Sequence, residues 1–367
     1  MSKLNRPTLI FYKMNPMTLS RLTSVLFAPI FILWSISTNA LVVLQYHHVD
    51  ETSPASTTIS PEKFLQHMQL IEDLGLEVVD LEPATRALLL QETNSTESNS
   101  KPTVQVAISF DDAYSSIFDN AYPELKRRNW PFTVFVNTRP VNQENRGIMT
   151  WAQLKQLVDD GVSIANHSVT HAHLPTIPAG LTLNEWLDQE ILVAQQELQQ
   201  RLGTVGNMLA YPYGEFTLAM IPWLEKHDML AFGQQSGPIG KSSHPQALSR
   251  FPAAGIYADV DNLKTKLLSL ALPIDKSQLH DPIVAAENNP PEFKVKLLDA
   301  DYNPANLQCF ASQQGAIDTK VEMVNSERML TAQASAPLTG ARGRYNCTVI
   351  SPQKGRFYWY SQPWQFF

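Results

Sequence analysis

The hydrophobic positions of this chain follow two alternating rhythms. From Leu41 to about Leu272, short runs dense in β-branched and aromatic residues are separated by longer segments with apolar residues at a helical period. The strand runs are LVVLQY (41–46), VQVAISF (104–110), FTVFVN (132–137), VSIAN (162–166), NMLAY (207–211) and MLAFG (229–233). Several are apolar at consecutive positions, so both faces must be covered, as in a parallel sheet flanked by helices. The spacing predicts helices over 61–74, 116–128, 150–160, 183–202 and 261–270. In the fourth, Leu187, Ile191, Ala194, Leu198 and Leu202 form one stripe, and Gly203 stands where a helix ends. Repeated strand–helix units predict an α/β fold, either a doubly wound sheet or a (β/α) barrel. The barrel is favoured because polar and turn-forming residues collect at the ends of four strand runs: His47-His48, Asp111-Asp112, His167 and Pro212-Tyr213-Gly214. That is the pattern of a barrel's C-terminal mouth. The tract 91–101, QETNSTESNSK, has too little apolar content to pack and reads as a solvated loop.

The rhythm changes after Leu272. Pro273, Pro282, Pro290 and Pro291 punctuate a polar stretch without helical period, so 273–291 is expected to be a linker. Beyond it, FKVKLL, LQCFAS, DTKVEMV, YNCTVI and RFYWYSQPWQFF are short β-type runs between turn residues, which predicts a small antiparallel sandwich over 292–367. Tyr345 precedes Cys347 by two residues, the spacing of a tyrosine corner. At the other end, Lys3, Arg6, Lys13 and Arg21 precede an apolar run over 22–36 that leads into Thr38-Asn39-Ala40. This is the pattern of an export signal over 1–40, with Met17 as a second candidate start and an uncleaved membrane anchor as the alternative. Export to the periplasm or the extracellular space lets disulfides persist, so Cys309 and Cys347 are expected to pair within the last domain, two buried thiols being the alternative.

Composition narrows the partners. The chain of 367 residues, 44% hydrophobic, is long enough for one catalytic domain and an appendage. Its net charge of -7 is interspersed, and no Lys/Arg block lies outside the N-terminus, so no nucleic-acid partner is expected. A neutral or cationic substrate is compatible.

The chemistry concentrates at two strand ends. In ISFDDAYSS (108–116) a buried-type strand ends in two adjacent carboxylates, which cannot both be buried and ionised unless something positive neutralises them. A metal ion would do so; a solvated Asp-Asp turn is the other explanation. In VSIANHSVTH (162–171) a second strand runs into His167 and His171. Over one helical turn both imidazoles would face the same side. Two histidines and one carboxylate, with a position left for water, form a catalytic rather than a structural ligand set. His173 falls outside this spacing and is expected to be a neighbour.

SFDDAY, HSVTH and AYPYGEF together resemble three motifs of the NodB-homology polysaccharide deacetylases, carbohydrate esterase family four: the first motif, the His-Ser/Thr-x-x-His motif and the Pro-Tyr motif. The resemblance spans about 41–272, and LQYHHVD with the lone YPYG is similar to the exported poly-β-1,6-N-acetylglucosamine deacetylases. It implies a distorted (β/α) barrel and metal-dependent hydrolysis of an N-acetyl group on an acetylated polysaccharide. Carried onto this sequence, it makes Asp112, His167 and His171 the metal ligands, Asp111 the general base and the Tyr213 backbone N–H an oxyanion donor. Zinc is the expected ion, with cobalt and nickel as alternatives. His47 is the candidate general acid; His48 is expected to point away, and His280 is a second candidate, for the family's late Leu-x-x-His motif. The chain departs from the family at Ala210, where many members carry an arginine that orients the base. Arg250, in LSRFPA, is the candidate replacement, or else an ordinary surface or core-edge arginine. Trp151 and Tyr114 are candidates to stack on sugar rings or to pack.

Two other functions fit the same residues. An O-acetyl, xylan-type esterase would activate water in the same way. A catalytically weak glycan-binding protein would use the aromatics of RFYWYSQPWQFF, which otherwise serve as the core of the small sandwich.

Overall fold

The computed structural model describes residues 38–91 and 103–366. The body of the expected export signal, and with it the possible anchor, lies outside the described residues, as does nearly all of the polar tract 91–101.

Six strand runs and one further short strand form a parallel sheet. They are β1 (Thr38–Tyr46), β2 (Thr103–Asp111), β3 (Thr133–Val136), β4 (Ser163–Asn166), β5 (Met208–Ala210), β6 (Leu230–Phe232) and β7 (Phe251–Pro252). The order is β7-β1-β2-β3-β4-β5-β6, every pairing is parallel, and Glu77–Val78 adds a short parallel partner beside β2. The segment 233–250 crosses between β6 and β7, bridging to β1 through Ile239 and to Phe232 through Leu248. The result is a distorted, incompletely closed (β/α) barrel, as expected.

Strand alternation decides what faces inward. Leu41 and Val43 of β1, Ala107 of β2, Phe135 of β3, Ala165 of β4 and Phe232 of β6 share one buried cluster inside the barrel. Val42, Leu44, Val106, Ile108 and Val134 belong to the other, beneath the helices. Continuing the inward set by twos toward the strand ends reaches Gln45, Asp111, Asn137 and His167. The period that builds the core therefore delivers polar side chains to the barrel mouth.

The helices lie where their caps allow. Pro61–Asp73 starts at Ser60, whose hydroxyl accepts from the Lys63 N–H, and Trp151–Asp159 starts with a Thr150/Gln153 capping box. The predicted helix over 183–202 is present but contains a π-helical turn at Asp188–Leu192. Helices Leu81–Leu89 and Ile221–Lys226 were not expected, although Leu81, Thr85 and Leu88 form a buried side of the first.

The C-terminal module has two sheets. The strands are β8 (Leu270–Ala271), β9 (Glu292–Lys296), β10 (Gln308–Ala311), β11 (Gly315–Ala316), β12 (Asp318–Val324), β13 (Glu327–Gln333), β14 (Arg342–Ile350) and β15 (Phe357–Gln365). They pair as β8-β15-β14-β10-β11 and β9-β13-β12, antiparallel except for β8 with β15. Cys309 and Cys347 stand opposite one another on β10 and β14 and are joined as a disulfide. The buried Tyr345 hydroxyl donates to the Pro291 carbonyl and accepts from the Ala334 N–H.

The stretch 273–291 is not the free linker its prolines suggest. Ile274 and Val284 are buried in the module's core beside Leu272, and Ile283 bridges to Gln365. The apolar residues between the prolines are what pin it down. The terminal aromatics are also mostly packed: Trp364 sits in the module core against Tyr345, and Trp359 meets Phe251 of the barrel edge-on.

Candidate active site

The loops after β2 and β4 bring three ligand-type groups together. One ligand atom each from Asp112, His167 and His171 lies within 4.8 Å of the others. The two imidazole Nε2 atoms are each 3.5 Å from Asp112 Oδ1. The histidines do not share a helical turn, as the spacing had suggested. Instead Ser168 and His171 adopt positive φ, 69° and 58°, and the loop is tied from outside. Asn166 accepts from the Ser168 N–H, while Glu190, on the π-helical turn, accepts from the N–H and hydroxyl of Thr170. Asp112 and Tyr213 also sit at positive φ, 72° and 59°. With Ala113 at 55°, five motif residues thus hold backbone conformations that cost energy for side chains with a Cβ, as functional sites commonly do.

The donor set fits a divalent ion. His167 is fully buried; its Nδ1 lies 2.7 Å from the Ala210 carbonyl and must donate to it, leaving Nε2 a bare acceptor with no hydrogen-bond partner among the described residues. Burial lowers its pKa to about 3, so the ring is neutral at physiological pH. Burial also pushes the Asp112 carboxyl up to about 6, with the neighbouring Asp111 adding to the rise and His47 opposing it. This is a carboxylate short of positive charge.

Asp111 has the opposite environment. It is fully buried, and burial alone would raise its carboxyl, but the Arg250 guanidinium holds it well below the ordinary range. Arg250 donates to both carboxylate oxygens at 2.7 and 2.9 Å, and Gln45 adds a third hydrogen bond at 2.7 Å. Arg250 is itself fully buried, fixed by the Gly233 carbonyl and the Ser109 hydroxyl. It is no surface arginine, and it reaches Asp111 from the strand next to β1 while Ala210 carries no side chain to do so.

His47 Nε2 lies 3.9 Å from Asp111 Oδ2 and faces the same cleft. His48 turns away, stacked on Tyr114 and 3.8 Å from Asp50. Tyr114 lines the cleft, whereas Trp151 bonds Asn142 and packs against Arg201. His280 is not brought to the cluster: it bonds the Lys294 carbonyl and packs on Phe293 in the C-terminal module. His173 stacks on Tyr213 and bonds Glu215 at 2.6 Å.

The cleft, about 510 Å³, has walls from both modules. Arg342 of β14 donates to the Tyr213 carbonyl at 2.8 Å, and a Cβ on Gly214 would meet the Gln234 nitrogen at 2.7 Å, so the Pro-Tyr-Gly turn is held tightly. Gln45, Asn137, Arg342 and Arg344 were missed from sequence. The first two are polar positions on the inward face of apolar strands and were legible as such; the arginines were not.

An incompletely closed parallel barrel with a carboxylate–imidazole cluster at its C-terminal mouth defines the class of this protein. Residues 98–232 match the model of the polysaccharide deacetylase family. It is 27% identical over 219 residues to YxkH of Bacillus subtilis (strain 168), named as a polysaccharide deacetylase, covering 59% of this chain and 69% of the relative. It is 26% identical over 193 residues to the poly-β-1,6-N-acetyl-D-glucosamine N-deacetylase of Staphylococcus epidermidis, covering 48% of this chain and 65% of the relative. The fold is that of the Streptococcus pyogenes deacetylase PplD in complex with acetate (TM-score 0.54, 22% identity, 63% of this chain and 99% of that one). It is also that of IcaB from Ammonifex degensii (TM-score 0.50, 24% identity, 60% and 98%).

Proposed function

We propose that this chain is an exported, divalent-metal-dependent N-deacetylase acting on a polysaccharide that contains N-acetylglucosamine. The observation that carries the reading is the gathering of Asp112, His167 and His171 beside a carboxylate, Asp111, that a buried arginine keeps ionised. Asp112 and the two imidazoles would hold the ion, with zinc, cobalt and nickel all suited to the donor set. When bound, it supplies Lewis acidity, lowering the pKa of water from 15.7 to about 7, which is what lets so weak a base as Asp111 take a proton at neutral pH.

The protein's own groups divide the remaining work. Asp111, oriented by Arg250 and Gln45, accepts the proton from the attacking water. The Tyr213 N–H, fixed by its left-handed turn, is the oxyanion donor, a contribution typically worth about 3 kcal/mol. His47, 3.9 Å from Asp111 in the same cleft, protonates the departing amine. The S. epidermidis relative supports the substrate class, and the Cys309–Cys347 disulfide is compatible with export.

The test is acetate release from N-acetylglucosamine oligomers. Release should vanish on chelation and return with a divalent ion, and Asp111→Asn should lose at least about 100-fold in kcat while retaining metal. Release that survives chelation would overturn the proposal. Release from acetylxylan alone would make the enzyme an O-acetyl esterase.

A further inference from the structure

We propose that the cleft includes a subsite for an oxyanion substituent of the glycan, a carboxylate or a phosphate near the sugar that is deacetylated, formed by Arg344 with Arg342 on β14. The inference rests on the deacetylase reading for the bond that is cut, and adds what else the substrate carries.

Alternation along β14 separates its two faces. Tyr345, Cys347 and Val349 enter the core of the C-terminal module, while Arg342 and Arg344 line the cleft that also exposes Asp112 and His171. β14 lies outside residues 98–232, the span that matches the family model.

Arg344 has no ion-pair partner among the described residues, and Arg342 has only a partial one. Arg344 donates to the Ser236 hydroxyl at 3.1 Å and to the Tyr257 hydroxyl at 3.5 Å, and its guanidinium lies 5.9 Å from the Tyr257 ring centre. Among the described residues, no carboxylate lies within 4.0 Å of it. Lys266 approaches the same ring at 5.1 Å, is almost fully buried, and bonds the Pro252 carbonyl. Burial, then the nearby Arg344, lowers the Lys266 pKa to about 8. Asp259 partly offsets the charge on Lys266, but the repulsion between Lys266 and the half-buried Arg344 would be relieved by an anion in the cleft. Arg342 is partly paired, its Nε 3.8 Å from Glu215. Among the described residues lining the cleft, the one carboxylate is Asp112, which belongs to the ligand cluster. The chain as a whole carries a net charge of -7, so a cationic wall here is not a by-product of a basic protein. A guanidinium fork matches carboxylate and phosphate oxygens in pairs, unlike the single contacts it makes to sugar hydroxyls.

The experiment compares kcat/KM for acetate release from three matched N-acetylated oligosaccharides: neutral, carrying a neighbouring uronate, and carrying a neighbouring phosphate. One charged substrate should exceed the neutral one at least tenfold, and whichever does so identifies the oxyanion. Arg344→Gln should cut that preference at least fivefold, and Arg344→Lys, which keeps the charge but not the fork, should fall between wild type and Arg344→Gln. Calorimetric titration with a uronate oligomer and with a phosphorylated oligomer, both lacking acetyl groups, reads the subsite without chemistry. Wild type should bind one of them, and Arg344→Gln should weaken that binding about tenfold. No preference in wild type, or one that persists in Arg344→Gln, would overturn the subsite. Absence of acetate release from all three substrates, with oligomer binding intact, would instead overturn the deacetylase reading alone.

Discussion

Asp111 and Asp112 are neighbours in sequence with opposite electrostatic lives. Asp111 is surrounded by donors and stays ionised; burial, with the neighbouring Asp111, pushes Asp112 up to about 6. The difference is made by Arg250, and it gives a prediction with a definite sign. In Arg250→Gln the burial of Asp111 is no longer opposed, so its carboxyl rises. The acid limb of the kcat/KM profile should then move to higher pH, with activity at pH 7 reduced at least about tenfold. Leaving Asp111 buried without its partner should also cost about 3–5 kcal/mol of stability, read by denaturant unfolding. An unmoved acid limb would show that Asp111 is not the base. At this scale the sequence was legible where chemistry clusters locally, as in Asp111-Asp112 and His167…His171. It was less so where a contact joins residues 139 apart, as Arg250 does with Asp111. The shape of the histidine loop was misjudged, because its turn is held by Asn166 and by Glu190 on another element rather than by helical hydrogen bonds.

Among the elements, β14 does the most varied work. One face holds Tyr345 and Cys347 in the module core, and the other presents arginines to the cleft. The disulfide to β10 closes a loop of 38 residues. On the chain-entropy model, removing it with Cys309→Ala/Cys347→Ala should lower stability by about 4 kcal/mol. Denaturant unfolding checks this: reductant should shift wild type toward the variant and leave the variant unmoved. The main strands and helices were visible as hydrophobic rhythm because each is long enough to repeat its period. β7 was not, since Phe251–Pro252 is two residues long and owes its place to pairing with Leu44 and Gln45.

At the scale of the whole molecule, the described residues form one compact unit rather than a barrel and a tethered appendage. β15 is central to this, pairing with β8 at the end of the barrel segment while Trp359 packs on Phe251. Docking of this kind is not legible in sequence, because prolines mark where helices stop and not whether the chain between them is buried. It also adds walls from β14 to a cleft otherwise lined by the barrel's own residues. All of the proposed chemistry nevertheless depends on an ion bound at the barrel mouth. The direct measurement is anomalous diffraction at the zinc edge from crystals of the zinc-loaded protein. The account predicts one strong peak about 2.0–2.2 Å from an Asp112 oxygen and from Nε2 of both His167 and His171. A peak elsewhere, or none at that cluster, would contradict it.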